Sequence, residues 1–220
     1  MYRFGDEIMI LRLVCDNKES WINPYIYQFK KQFEHRFEIT VHHDYDFTSE
    51  ADYTFFLSCE KKISSNVLSN STYNYLIHES DLPAGKGWSP VTWQILEGKK
   101  EIVVSLIEVN SSIDSGDILL QNVMKLNGSE LINEIRDVQW QKSKELILEV
   151  LNSHKSIIPT KQVGQSTYYP RRTPADSELN ISKSIDDQFN LLRVVDNDRY
   201  PAHFYKNGVK YILKIFKSEE

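Results

Sequence analysis

Two side chains stand where acid–base chemistry could be done. His78 directly follows the apolar run Tyr75-Leu76-Ile77, and Asp114 lies in Ser111-Ser112-Ile113-Asp114-Ser115-Gly116-Asp117, between two strand candidates. An imidazole and a carboxylate brought together at strand ends can hold and move a proton. Each also has a plainer use. A histidine at a strand end can bond to backbone, and aspartate before glycine is a turn former. Of the other histidines, His35 ends a helical pattern and His42 and His43 lie in a polar loop. The loop after His78 carries Gly85 and Gly87 but no Gly-Lys-Ser/Thr, so it is not a Walker A loop. The first strand runs into Asp16-Asn17-Lys18 without a glycine, so the dinucleotide fingerprint is missing too. Phosphoryl and hydride transfer both lose support. No metal is expected, because no second histidine stands at ligand spacing from His78.

The elements that must position these residues alternate in type. Ile8–Cys15 is a continuous apolar run, as in a strand buried on both faces. Pro24 opens a helix with Tyr25, Ile26, Phe29 and Phe33 on one face. Strands are expected at Phe37–Val41, Tyr53–Ser58, Tyr73–Ile77, Glu101–Val109 and Asp117–Val123, with helical segments at Val67-Leu68 and Pro90–Leu96. This order predicts an α/β fold with a doubly wound, mainly parallel sheet, whose ligands bind beyond the carboxyl ends of the strands. Ser129 is the expected N-cap of a long helix with Ile132, Ile135, Val138, Lys142, Leu146 and Val150 at helical spacing. The polar stretch 153–166 reads as a linker or long loop. Beyond it, Ile185–Val195 forms a short helix with Phe189, Leu192 and Val195 inward, and a β-hairpin turns at Asn207-Gly208. The expected organisation is a catalytic core over 1–155 and a small α+β subdomain over 167–220.

Composition narrows the function classes. The 220 residues are 40% hydrophobic and 26% charged, which excludes collagen-like and wholly disordered chains. The net charge is −5, and no long Lys/Arg block suggests a nucleic-acid partner. Cys15 and Cys59 are the only cysteines, too few for a disulfide framework or a cysteine-based zinc site. No apolar run is long enough to span a membrane, and a cytoplasmic location is expected.

Three segments together resemble a known family. His78-Glu79-Ser80-Asp81-Leu82-Pro83 with Gly87 and Pro90 is similar to the folate-loop signature of the 10-formyltetrahydrofolate-dependent formyltransferases. Ile113-Asp114-Ser115-Gly116-Asp117-Ile118-Leu119 resembles that family's Asp-Thr-Gly-Asp segment. Tyr169-Pro170-Arg171-Arg172-Thr173-Pro174 resembles the opening of the C-terminal subdomain in methionyl-tRNA and sugar N-formyltransferases. Gly87–Gln94 and Phe189–Asn197 are most similar to the UDP-amino-sugar N-formyltransferases of the pseudaminic-acid pathway.

The resemblance implies a Rossmann-like core and transfer of a formyl group from 10-formyltetrahydrofolate to a primary amine on a nucleotide-linked sugar, with UDP as the nucleotide. It implies that His78 stabilises the tetrahedral intermediate and that Asp114 orients it and relays protons. The folate is expected against Lys62 and Ile63, Leu82, and Ser112 and Ile113. The sugar nucleotide is expected against Lys86, Trp88, Tyr169, Arg171 and Arg172, where a ring and charged forks suit uracil and pyrophosphate. Arg171 and Arg172 could instead pair with Asp176 or Glu178. One departure stands out: the family's Asn-x-His places Leu76 where asparagine is the rule. Asn74 is four residues from His78, roughly 13 Å along a strand, and Ser58, Ser80, a backbone N–H or water are the replacement donors considered. The rival readings are a methionyl-tRNA or glycinamide-ribonucleotide formyltransferase and a non-catalytic folate or sugar-nucleotide binder.

Overall fold

In the computed structural model, residues 3–4, 7–110, 112–153 and 156–218 are described. Ser111, the expected core boundary at 155 and the expected end at 220 lie outside them. The apolar run of the first strand divides in two. A two-residue ribbon pairs β1 (Arg3–Phe4) with β2 (Glu7–Ile8), and β3 (Ile10–Val14) enters the main sheet. Then follow α1 (Asn23–Phe33), β4 (Glu38–His42), β5 (Ala51–Phe56), α2 (Ser65–Leu68), β6 (Ser71–His78), β7 (Lys86–Gly87), α3 (Pro90–Leu96), β8 (Glu101–Glu108), β9 (Ile118–Lys125) and α4 (Ile132–Ser153). The six-stranded sheet has the order β4-β3-β5-β6-β8-β9. Its first four strands are parallel, and β8 and β9 are antiparallel. This is the mainly parallel α/β architecture the sequence pattern predicts.

Both faces are covered, which explains the unbroken apolar strands. On one face Leu11, Leu13, Tyr53, Phe55, Tyr75 and Ile77 pack under Ile26 and Phe29 of α1, Ile95 of α3 and Leu146, Ile147 and Val150 of α4. On the other, Val14, Phe56 and Leu76 meet Val67 of α2 and Ile63 just before it. Pro24 sits in the first turn of α1, where its missing N–H costs nothing. The cap expected at Ser129 is not formed. The helix begins three residues later, Glu134 Oε2 accepts the Leu131 N–H at 2.8 Å, and Ser129 instead bonds Asn127. Lys142 pairs with Glu145 at 2.8 Å, and Trp140 and Ser143 are among the buried residues of this helix.

Of the stretch expected as a linker or long loop, residues 156–166 form a long loop that straps the sheet edge. Thr160 exchanges two backbone hydrogen bonds of 2.8 Å with Ile118, and Lys161 pairs with Asp117. The chain then returns across the sheet edge to β10 (Tyr168–Tyr169), which pairs in parallel with β7. Beyond it lie α5 (Phe189–Val194), β11 (Ala202–Lys206) and β12 (Val209–Leu213). The hairpin turns at Asn207 (φ +51°) and Gly208 (φ +76°), two left-handed residues as in a type I′ turn. Arg193 of α5 is buried and holds Glu130 at 2.9 Å, tying this tail to the start of α4. No helix among the described residues is long and apolar enough to cross a membrane.

Candidate active site

His78 ends β6 opposite Ser105 of β8. Its imidazole is 5% exposed, and Nε2 lies 2.8 Å from the Gly85 carbonyl oxygen. That oxygen can only accept, so the ring proton sits on Nε2 and Nδ1 is left to face elsewhere. It faces Asp114 Oδ2 at 3.8 Å, within ion-pair reach but beyond hydrogen-bond length.

The path that brings Asp114 there is indirect. β8 runs antiparallel to β6, so the loop after Glu108 leaves the sheet beside Asn74, whose carbonyl accepts the Val109 N–H. The loop then folds back along β6 to reach His78. Asp114 is left-handed (φ +47°), and Gln162 of the strap fixes this turn by donating to the carbonyls of Asp114 and Gly116, each at 2.9 Å. Asp114 Oδ2 also accepts the Gly87 N–H at 2.8 Å. Gly87 has φ +93°, and a Cβ there would meet the Tyr169 carbonyl at 2.6 Å, so the approach of β10 demands glycine.

Asp114 lines a cleft of about 470 Å³, and His78 stands 3.8 Å behind it without lining the cleft itself. That volume is ordinary for a small-molecule site. Lys62 and Ile63, and Ser112 and Ile113, line one part of it. Asp16 pins the Lys62 loop by accepting the Glu60 and Lys61 N–H groups at 2.8 Å. Leu76, Ile107 and Val109 add an apolar wall, and Ser58 (φ +54°) lies beside them. Apolar surface with backbone polar groups at its edges is the chemistry that a flat heterocycle such as a pterin needs. Leu76 offers no donor where the family asparagine would stand. Ser80 is buried and does not line the cleft, which leaves Ser58, a backbone N–H or a water as replacements.

The other expected ligand contacts divide. Trp88, Arg171 and Arg172 line the cleft. Arg171 stacks 4.5 Å over the Trp88 ring and pairs with Glu60 at 2.8 Å, not with Asp176 or Glu178. Arg172 donates to the Asp176 carbonyl and the Ser177 hydroxyl, and burial lowers its pKa. Three expectations are corrected. Leu82 is buried within its loop and does not border the cleft. Lys86 is buried because its strand is covered by β10. Tyr169 points away, stacking on Trp93 and donating to Glu97 at 2.9 Å; burial and that carboxylate push its hydroxyl up to about 12.

The structure adds residues that sequence reasoning passed over. Glu79, Arg136 and Gln139 line the cleft on the α4 side. Gln139 Nε2 donates to Glu79 Oε1 at 2.7 Å, while Arg136 pairs with Asp196 at 2.9 Å. Burial pushes the Glu79 carboxyl up, against the opposing pull of His78 and the Gln139 amide. The available signals were adjacency to His78 for Glu79 and the three-residue helical spacing of Arg136 and Gln139.

Comparison with known proteins bears on the fold and the family. Methionyl-tRNA formyltransferase of Thermodesulfovibrio yellowstonii is 29% identical over 119 residues, 53% of this chain and 39% of that protein. The chain spans about two fifths to a half of the length of the curated relatives it matches first. Among solved structures, methionyl-tRNA formyltransferase from Clostridium thermocellum superposes with a TM-score of 0.78 at 24% identity, covering 96% of this chain and 94% of that one. A 4-N formyltransferase from Francisella tularensis gives 0.74 at 17% identity, covering 96% and 99%. HypX from Aquifex aeolicus, solved with tetrahydrofolic acid, gives 0.76 at 16% identity, covering 95% and 38%. At these identities the likenesses are of fold. The profile of the formyl transferase family matches residues 24–151, more than half of the chain and the stretch that holds both His78 and Asp114, so the chain belongs to the formyl transferase family.

Proposed function

We propose that the protein is an N-formyltransferase that moves a formyl group from 10-formyltetrahydrofolate to the amine of a nucleotide-linked amino sugar, with UDP as the nucleotide. The observation that carries this is Asp114, backed by His78 at 3.8 Å, in a cleft that Lys62, Ile63, Trp88 and Arg171 also line. The folate supplies the formyl group. Lys62, Ile63, Ser112 and Ile113 are the residues that would hold it. An acceptor amine arrives as an ammonium and must lose a proton before it attacks. Asp114 lines the cleft and accepts that proton at its carboxylate, and His78 Nδ1, 3.8 Å behind, shares it. We assign catalysis to residues 1–155 and acceptor recognition in part to 167–220.

A second reading, formylation of methionyl-tRNA, is favoured by the names of the curated relatives. The net charge of −5 disfavours it, because tRNA binding draws on clustered cations. The test offers 10-formyltetrahydrofolate with a UDP-4-amino-4,6-dideoxy sugar or with methionyl-tRNA and detects the formamide by mass spectrometry. His78→Asn and Asp114→Asn are each expected to cut turnover by about 10²–10⁴ while thermal unfolding stays cooperative. Near-wild-type rates in either variant remove this mechanism. Formylation of the tRNA alone reassigns the acceptor.

A further inference from the structure

Glu79 is a carboxylate with a place in the cleft, and among the described residues no lysine or arginine pairs with it. It is half-buried, it lines the cavity, and it follows His78 at the end of β6. Gln139 is the one side chain among the described residues that donates to it. The backbone carbonyl of Glu79 accepts from Gln94 Nε2 at 2.7 Å, so the main chain behind the carboxylate is held as well. The arginines that line the same cleft are committed elsewhere. Arg136 pairs with Asp196, Arg171 with Glu60, Arg172 donates to the Asp176 carbonyl and Arg199 to the Glu19 carbonyl. A carboxylate withdrawn from water without a cation is unfavourable. Burial accordingly disfavours its charged form. A bound cation would reverse that.

We propose that Glu79 is the anchor for the acceptor's ammonium group, and that it selects an amine over a hydroxyl at the reacting carbon. This rests on the reading that the acceptor is an amine. An ammonium set against Glu79 can donate to the carboxylate while a further N–H points toward Asp114, which lines the same cavity. A hydroxyl in its place brings no positive charge and leaves the carboxylate uncompensated. A charge-assisted hydrogen bond in such a place is worth on the order of tenfold to a hundredfold in affinity.

The experiment is calorimetric titration of wild type, Glu79→Gln and Glu79→Ala with three probes: UDP, UDP-4-amino-4,6-dideoxy-N-acetylglucosamine, and the same nucleotide sugar with a 4-hydroxyl. Wild type is expected to bind the amine about 10–100-fold more tightly than the hydroxyl. In both variants the two sugars should bind within about threefold of each other, with UDP binding unchanged as the control for folding. A preference retained in the variants overturns the inference and leaves the amino-sugar reading standing. Equal binding of amine and hydroxyl by wild type does the same. Failure of wild type to bind either sugar nucleotide overturns the amino-sugar reading, and this inference with it.

Discussion

The Gly85 carbonyl decides the tautomer of His78, and that in turn decides what Asp114 can do. With the proton on Nε2, the lone pair of Nδ1 points at a carboxylate 3.8 Å away, an arrangement that invites one shared proton. Glu79 adds a second carboxylate within electrostatic reach of both. Because burial raises its folded-state pKa above the ordinary value, the proton on Glu79 is bound more tightly in the folded chain. Its contribution to stability is therefore present below the ordinary carboxylate range and is lost as pH rises through the folded-state pKa. Glu79→Gln removes that dependence. At about pH 8 the variant should melt above wild type, and the gap should close as pH falls toward about 4. Equal melting at both pH values would show that the carboxylate carries no desolvation cost. His78 and Asp114 could be picked out in the sequence by their places, after an apolar strand and in the turn ahead of Gly116. Position left a plainer use open for each, and only the likeness to family motifs gave them roles. The structure brings the two within 3.8 Å. Glu79 could not be picked out, because a glutamate at a strand end reads as surface. What buries it is α4, whose Gln139 stands 60 residues later.

At the scale of elements, the parallel half of the sheet follows from apolar runs separated by amphipathic helices, and the strands and helices fall within a few residues of where those patterns place them. What the patterns do not carry is the strap. Residues 153–166 are polar and without periodicity, yet Thr160, Lys161 and Gln162 pin them to β9 and to the Asp114 turn. Their order comes from backbone and side-chain hydrogen bonds to a distant partner, for which composition has no signature. The strap delivers β10 to β7, and this contact closes over Gly87. A side chain there would collide with the Tyr169 carbonyl and would also have to adopt φ +93°. Gly87→Ala is therefore expected to destabilise the protein by about 1–3 kcal/mol and to release β10, so that the backbone around Tyr168 and Tyr169 becomes open to protease. Denaturant unfolding and limited proteolysis would read both effects. Unchanged midpoints and an uncut β10 would mean that β7 and β10 separate without consequence.

At the scale of the whole molecule, the tail is fastened to the core by charges at separate points. Arg193 grips Glu130, Arg136 grips Asp196, and Arg171 reaches Glu60 at the cleft. The first is a buried structural tie. Burial opposes the charge on Glu130, but the backbone N–H groups of Asn127 and Gly128 and the charge of Arg193 outweigh it and hold the carboxyl below its ordinary value. The third is different in kind, because both partners are largely exposed and Arg171 also stacks on Trp88. A guanidinium over an indole at the cleft suits a nucleotide's diphosphate and base, but Glu60 holds it first. A diphosphate must then compete with Glu60 for Arg171. Under the amino-sugar reading, Arg171→Ala should weaken UDP binding by about 1–3 kcal/mol, and Glu60→Gln should strengthen it by freeing the guanidinium. Arg172→Ala should act mainly on stability, since Arg172 is committed to the Asp176 carbonyl and the Ser177 hydroxyl. tRNA should bind none of these proteins at physiological salt, given a net charge of −5. Titration of UDP, TDP and tRNA against wild type and the three variants reads all of this. Unchanged UDP affinity in both Arg171→Ala and Glu60→Gln would remove the diphosphate from this junction, and tRNA binding tighter than UDP would move the acceptor to nucleic acid.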